Sequence, residues 1–224
     1  MIDKITLSLL YLIGIVLLLT FNELAYRRLK LEGEVTRKFA HFSTALATLP
    51  FPYIFSSHWS VLVLATIFAV GLFLTRYKKQ LNSIHDIERK SMGSFLLPIA
   101  VYVTFLISFK AGNKLMYILP MLILAVCDPM AAILGMSGWK GNGKITLFGW
   151  KSRKTYFGSS AFLVTSFVIS AIALYYYRQS FDFKTFWLAF VVAIVGTFSE
   201  LFCWRGSDNL TIPLSLAIVL LIFL

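Results

Sequence analysis

The sequence predicts an all-α fold, a polytopic bundle of about eight transmembrane helices, and three observations predict it. Hydrophobic residues make up 58% of the 224 residues, whereas soluble domains contain roughly 45–50%. Charged residues make up only 14%, and the mean hydropathy is +0.80. Apolar runs close to the roughly 20 residues that a spanning helix requires recur along the chain. This composition excludes a water-soluble globule and a disordered chain, and the presence of only two cysteines excludes a disulfide scaffold.

Eight apolar runs are candidate spans. The fourth and the eighth are short, so seven spans plus a half-helix is the alternative. The first run is too long for the apolar core of a signal peptide and lacks a small-x-small cleavage site, so no cleavable signal is expected. No repeat or linker divides the chain, which predicts one integral-membrane domain over residues 1–224. The predicted spans are Ile5–Phe21, Phe39–Phe55, Trp59–Thr75, Ser94–Phe109, Leu115–Leu134, Phe157–Tyr177, Phe186–Cys203 and Leu210–Leu224.

The distribution of basic residues predicts the orientation. Sixteen of the 21 Lys and Arg residues follow the first, third, fifth and seventh spans, and such loops face the cytoplasm. Both termini are therefore predicted on the non-cytoplasmic side, in the plasma (inner) membrane. Eight of the 10 acidic residues also fall on or near the cytoplasmic side, which predicts a cytoplasmic working face. The net charge of +11 is split into short clusters, a pattern that favours anionic phosphate ligands over nucleic acid.

Asp128 is the most informative single residue. It lies in the apolar run Leu122–Leu134, where an unpaired charge would cost several kcal/mol. Pro120 and Pro129 predict a kinked or broken helix whose freed carbonyls line a polar cavity. Because ionisable residues inside a membrane are functional candidates, Asp128 is predicted to be a Mg²⁺ ligand or a catalytic carboxylate. The alternative is a carboxylate paired with a loop Lys or Arg.

The segment from Gly135 to Gly158 is predicted to be a cytoplasmic loop that binds phosphate. Three further glycines permit close backbone approach, although the P-loop pattern is absent. The alternative is that the basic residues only fix topology. The cations suited to an oligophosphate are Lys144, Lys151, Arg153 and Lys154.

Arg37 and His41 lie four residues apart at the mouth of the second span, so they share one helix face. With Lys38 beside them, they predict a polar role toward phosphate or a substrate hydroxyl. The alternative is a hydrogen-bonding histidine with a structural role only.

The segment from Glu200 to Leu214 joins a carboxylate to the start of the last span. Asp208 or Asn209 is predicted to N-cap that helix, with Pro213 in its first turn. A helix N-terminus at this point would direct amide groups toward phosphate. The alternative is a capped hairpin in which Glu200 pairs with Arg205.

These segments combine carboxylates for Mg²⁺, cations for phosphate and apolar walls at one membrane depth. Together they predict phosphoryl or nucleotidyl transfer to a lipid, a chemistry of positioning and charge neutralisation.

Five motifs, in this order, resemble the CTP-dependent polyprenol kinases, the family of phytol kinase, dolichol kinase and the CTP-using diacylglycerol kinase. The resemblance covers about residues 35–220 and is closest to the phytol kinases. The motifs are Arg37-Lys-x-x-His41, Asn82-Ser…Glu88-Arg-Lys-Ser-Met-Gly-Ser94, Asp128-Pro-Met-Ala-Ala-Ile-Leu-Gly135, Lys151-Ser-Arg-Lys-Thr-Tyr-Phe-Gly158 and Glu200…Asp208-Asn-Leu-Thr-Ile-Pro213.

The resemblance implies transfer of the γ-phosphoryl group of CTP to an isoprenoid alcohol, with Mg²⁺ as cofactor. Asp128 matches the family's Asp-x-x-Ala-x-x-x-Gly motif and would hold Mg²⁺, with Glu200 or Asp208 as a second ligand. The base that orients the alcohol would be His41 or Asp128. The residues implied in contacting the triphosphate or guarding the entrance are Arg37, Lys38, Arg89, Lys90, Lys144, Lys151, Arg153, Lys154, Gly158, Asp208 and Asn209.

Two positions depart from the family pattern. Tyr156-Phe157 stands where Trp-Glu or Trp-Ala is usual, so any role for a glutamate there is absent, and Pro129 replaces Gly or Ser after the aspartate. Two other classes remain open. A phospholipid cytidylyltransferase would release pyrophosphate from CTP, and a carrier of anionic lipid would show inverted repeats and midplane polar residues. The expected partners are CTP, an isoprenoid alcohol and membrane lipids, but no nucleic acid.

Overall fold

The computed structural model describes residues 4–29, 33–77, 92–147, 150–204 and 206–224. Within these ranges six helices are long and apolar enough to cross a membrane, which agrees with the predicted membrane bundle. The helices are α1 (Lys4–Leu29), α2 (Gly33–Thr48), α3 (Phe51–Ile54), α4 (His58–Tyr77), α5 (Gly93–Ala111), α6 (Leu115–Gly135), α7 (Tyr156–Arg178), α8 (Phe183–Leu201) and α9 (Asp208–Phe223), and the strands are β1 (Lys144–Leu147) and β2 (Trp150–Thr155).

Six of the eight predicted spans agree with an observed helix to within three residues at each end. The other two differ because their helices contain polar turns that a hydropathy run leaves out. α1 continues to Leu29, and α2 begins at Gly33 and ends at Thr48, before Pro50 and Pro52 interrupt the helical hydrogen bonds. α2 and α9 have 16 residues each, so the count of eight spans stays a prediction.

Helix α6 is the centre of the bundle and packs against α2, α5, α7 and α9. Most of its side chains between Met116 and Ala131 are buried. The helix continues through Pro120 and Pro129, so the expectation of a broken helix is wrong. Each proline removes one N–H donor and crowds the carbonyl four residues before it, but the four neighbouring helices hold this apolar segment in place.

The predicted loop between α6 and α7 contains an antiparallel hairpin, which corrects the all-α prediction for this segment. Strand β1 pairs with β2 from Lys144 opposite Thr155 to Leu147 opposite Trp150. The Asn142 amide donates to the carbonyls of Leu134, Gly135 and Ser137. It thereby fastens the hairpin to the end of α6.

Candidate functional site

A polar cavity of about 310 Å³ lies where α6 and α8 end and α7 and α9 begin. The structure therefore brings Asp128 together with Arg153 and Lys154, as predicted, in one cavity. The cavity carries both signs of charge although the helices around it are apolar. Its charged lining residues are Arg37, Lys38, Asp128, Arg153, Lys154, Glu200 and Asp208.

Asp128 forms an ion pair in the wall of this cavity. Its side chain is 2% exposed, and its Oδ2 lies 2.5 Å from Nζ of Lys38 and 3.9 Å from Nε2 of His41. The paired carboxylate expected under the alternative interpretation is thus present, but its partner comes from α2 and not from a loop. The carboxylate faces the polar cavity and not hydrocarbon.

Lys154, on β2, forms the second ion pair of the cavity with Glu200, at the end of α8. Its Nζ lies 2.6 Å from Oε1 of Glu200 and 3.8 Å from Oδ2 of Asp208. The hydroxyl of Ser159 donates to the other oxygen of Glu200 at 3.3 Å. Burial disfavours the charged form of Lys154, but Glu200 and Asp208 outweigh it and raise the pKa of this amine. Lys154 therefore carries its charge near neutral pH. Arg205, the expected partner of Glu200, lies outside the described residues.

The start of α7 is held tightly against α6. Thr155 is its N-cap, and Oγ1 of this residue accepts a hydrogen bond from the N–H of Gly158 at 3.3 Å. A Cβ atom at Gly158 would lie 2.8 Å from the carbonyl oxygen of Ala131, so this position requires glycine for packing. Thr155 and Gly158 both line the cavity, and the N-terminus of a helix is suited to binding anions.

The start of α9 differs from the prediction. The N-cap is Ser207, while Asp208 lies in the first turn and Pro213 lies further inside the helix. Asn209 lies inside the helix and so is not the cap, and its amide donates to the carbonyl of Gly93 at 2.8 Å. Asp208 accepts a hydrogen bond from the N–H of Asn209 at 3.1 Å.

Some predicted site residues lie elsewhere. Lys144 is exposed on β1 and is not among the described residues that line the cavity. His41 and Asn209 line a neighbouring apolar groove. Arg89 and Lys90 lie outside the described residues, as does the side chain of Lys151. The roles of all these residues stay predictions.

The carboxylates of the cavity fit a Mg²⁺ ion only if phosphate oxygens complete its set of ligands. Among the described residues, no three His, Cys, Asp or Glu side chains are arranged to hold a metal. Asp128 faces Lys38, while Glu200 and Asp208 face Lys154. Mg²⁺ in proteins commonly takes one or two carboxylates together with substrate phosphates. The donor set therefore fits an ion that arrives with a nucleotide better than a resident ion.

Two residues that contribute to this site were not identified from the sequence. Sγ of Cys203 lies 3.5 Å from Oδ2 of Asp208 in the cavity wall, and burial together with Asp208 raises the pKa of this thiol to about 12. Thr155 could have been recognised, because a threonine before an apolar run is a typical N-cap. Nothing in the sequence around Cys203 indicates its place.

The chain is 29% identical to the phytol kinase of Synechocystis sp. over 190 residues, which is 84% of this chain and 78% of the relative. No family model matches the chain, and no solved structure matches it significantly. The similarity over most of both chains supports the resemblance that the motifs indicate. The chain is therefore similar to a phytol kinase over most of its length.

Proposed function

We propose that this protein is an integral-membrane kinase that transfers the γ-phosphoryl group of CTP to a prenol-type alcohol. The observation that carries the proposal is the convergence of Asp128, Arg153 and Lys154 on one charged cavity beside an apolar groove. The similarity to a phytol kinase supports phosphorylation of a prenol-type alcohol, while CTP as the donor rests on the motifs.

The cavity offers a cationic surface to the donor. Arg37 and Arg153 line it together with Lys154, whose charge is maintained by the carboxylates around it. The triphosphate would lie against these cations, with the N-terminus of α7 contributing amide groups. Phosphoryl transfer depends mainly on such positioning and charge neutralisation.

Asp128, with Glu200 or Asp208, would hold Mg²⁺ together with phosphate oxygens of the nucleotide. The ion supplies charge neutralisation for the transferring group. In the structure Lys38 is ion-paired with Asp128 and Lys154 with Glu200. The lysines would therefore turn from the carboxylates to the phosphates when the nucleotide binds.

The reaction balances without a further reactant. The alcohol oxygen bonds to the γ-phosphorus, and the bond from that phosphorus to the β–γ bridging oxygen breaks, so that CDP leaves with the electron pair. The hydroxyl proton passes to a base, for which His41 and Asp128 are the candidates. We place this reaction at the cytoplasmic face of the plasma (inner) membrane, with both termini on the other side, on the distribution of Lys and Arg.

The test is a transfer assay on purified protein in detergent with CTP labelled at the γ- or the α-phosphate. Phytol, geranylgeraniol and a longer polyprenol are the acceptors, each of the four nucleoside triphosphates is compared as the donor, and Asp128→Asn is measured in parallel. We expect γ-label in the lipid and strongly reduced transfer in the variant. Appearance of α-label in the lipid would indicate a cytidylyltransferase, and failure to label any alcohol would overturn the proposal.

A further inference from the structure

A second cavity, narrow and mostly apolar, lies next to the charged one. It has a volume of about 80 Å³ and is lined by residues of α1, α2, α3, α4, α5 and α9. On α2 its lining runs from Arg37 through His41 and Thr44 to Thr48, a spacing that places these residues on one helix face. At 1.5 Å per residue this face extends about 16 Å. We call this cavity the tail groove.

The tail groove borders the charged cavity at Arg37, which lines both. Beside it His41 is buried, 7% exposed, and its Nε2 has no hydrogen-bond partner among the described residues. A buried polar atom without a partner costs roughly 1–3 kcal/mol, so this nitrogen is suited to a partner that a bound ligand supplies. It lies 3.9 Å from Oδ2 of Asp128.

The other end of the tail groove is lined by an aromatic ring. Phe51 on α3 lines it and is 3% exposed. The Phe51 ring packs edge-to-face against Tyr11 at 5.4 Å and against Phe55 at 5.0 Å between centroids. The hydroxyl of Tyr117 donates to the carbonyl of Thr48 at 3.2 Å, which fixes the end of α2 beside this ring.

The groove therefore has one polar end, an apolar length and an aromatic residue at its far end. Empty apolar cavities stay dry and bind apolar molecules, and a long, narrow shape fits a chain better than a ring system. A molecule with a hydroxyl head and a hydrocarbon tail satisfies both ends: its hydroxyl supplies the missing partner of His41, and its tail fills the length toward Phe51. Because the groove is narrow, the chain would widen it by displacing the partly buried side chains of Leu19 and Phe68.

We propose that the tail groove holds the prenyl chain of the acceptor alcohol, with its hydroxyl at His41, and that Phe51 limits the length of chain that is accommodated. This inference rests on the proposed function, since it assigns the acceptor of that reaction. It adds a location for the acceptor and a residue that selects among acceptors.

The test compares geraniol, farnesol, geranylgeraniol and a longer polyprenol as acceptors for variants that lengthen or fill the groove. Phe51→Ala opens the far end, and we expect kcat/KM for the longest alcohol to rise relative to that for farnesol by roughly tenfold, the effect of burying about two more methylene groups. Ala65→Phe, at a lining position on α4, should shift the preference in the opposite direction. Phe223→Ala, at a residue 55% exposed on α9, is the matched control and should change nothing.

Shifts of the chain-length preference in opposite directions cannot arise from general loss of folding, because that would lower activity with every alcohol alike. An unchanged length preference in both variants would overturn the proposal. A geranylgeraniol analogue with a diazirine at its tail end gives a readout that does not need turnover: it should crosslink to the segment around Phe51, and crosslinking only elsewhere would overturn the proposal. If the wild-type protein phosphorylates no alcohol, the proposed function fails, and the crosslinking result still decides where the chain binds.

Discussion

Lys38 and Asp128 are 90 residues apart in sequence, yet Nζ of the lysine lies 2.5 Å from Oδ2 of the aspartate. Their side chains are 13% and 2% exposed, so both charges are largely removed from water. This pair links α2 to the central helix α6 at the wall of the charged cavity. It therefore bears on stability as well as on any ligand that binds there.

Removing one member of this pair should be far more harmful than removing both. We expect Lys38→Met to lower the free energy of unfolding by about 3–5 kcal/mol, because it leaves the Asp128 charge buried without a partner. The double variant Lys38→Met, Asp128→Leu should recover most of that loss while remaining inactive. Thermal unfolding in detergent measures both effects.

The control for this pair is Arg178→Met. Arg178 pairs with the half-exposed Asp182 at 3.2 Å, and such exposed pairs contribute about 0–1 kcal/mol. If Lys38→Met is as mild as Arg178→Met, or if the double variant shows the sum of two losses, the interpretation of a buried and mutually dependent pair is wrong.

Lys154 should act on the nucleotide. Its pKa is raised by Glu200 and Asp208 against the effect of burial, so its charge persists at every pH at which the protein is assayed. We expect Lys154→Met to raise KM for the nucleotide by about tenfold to a hundredfold, the range for losing a hydrogen bond to a charged group. Lys154→Arg should retain much of the binding, and Lys140→Met, at an exposed residue of the loop before β1, should have no effect. Equal KM values for the Lys154→Met and Lys140→Met variants would contradict this role.

Gly158 should tolerate no side chain. A Cβ atom there would lie 2.8 Å from the carbonyl oxygen of Ala131, and backbone cannot move aside as a side chain does. We expect Gly158→Ala to destabilise the protein by about 1–3 kcal/mol, the usual cost of overpacking. Gly138→Ala is the matched control, because nothing lies within 4 Å of the added atom. Equal melting temperatures of the two variants would show that α6 and α7 can separate at no cost.

Cys203 provides a measurement of nucleotide binding that does not depend on turnover. Burial and Asp208 raise the pKa of its thiol to about 12, so little thiolate is present at pH 8 and alkylation by iodoacetamide should be slow. The rate should rise about tenfold per pH unit below that pKa, and Asp208→Asn should accelerate it by lowering the pKa. Cys127 is fully buried, and Cys203→Ser supplies the background.

Mg²⁺ and CTP should slow this alkylation further, since Cys203 lines the charged cavity. Reaction at the rate of an ordinary free thiol would contradict the placement of Cys203, and absence of protection at saturating nucleotide would contradict the placement of CTP in this cavity.

The helices were largely predictable because length and hydropathy determine them. The run Leu115–Leu134 became the helix Leu115–Gly135 almost without change, since a span needs a fixed number of apolar residues. A hydropathy analysis does not identify the first turns of α2 as helical, because these turns are polar and contain Arg37 and Lys38. The hairpin escaped it as well, because its strands have only four and six residues.

The residues of the site could be predicted from the sequence, but the ion pairs that they form with one another could not. The sequence indicates that Asp128, Lys154 and Glu200 lie near one membrane face, because their spans are fixed in length and alternate in direction. That Lys38 faces Asp128 while Lys154 faces Glu200 depends on how α2 and α8 rotate against α6, which local sequence does not determine. The tail groove also depends on how helices pack against one another, since six helices contribute to its lining.

Arg37 borders both compartments of the protein, whereas Lys154 contributes to the charged one and Phe51 to the apolar one. If the charged cavity holds the donor and the tail groove the acceptor, as proposed, substitution of Arg37 should change the kinetic constants for both substrates together. Such a variant cannot separate donor effects from acceptor effects. Substitutions at Lys154 and Phe51 can separate these effects, because each residue lines only one compartment. The non-additivity of the two substitutions in a double variant would measure the energetic coupling between the compartments.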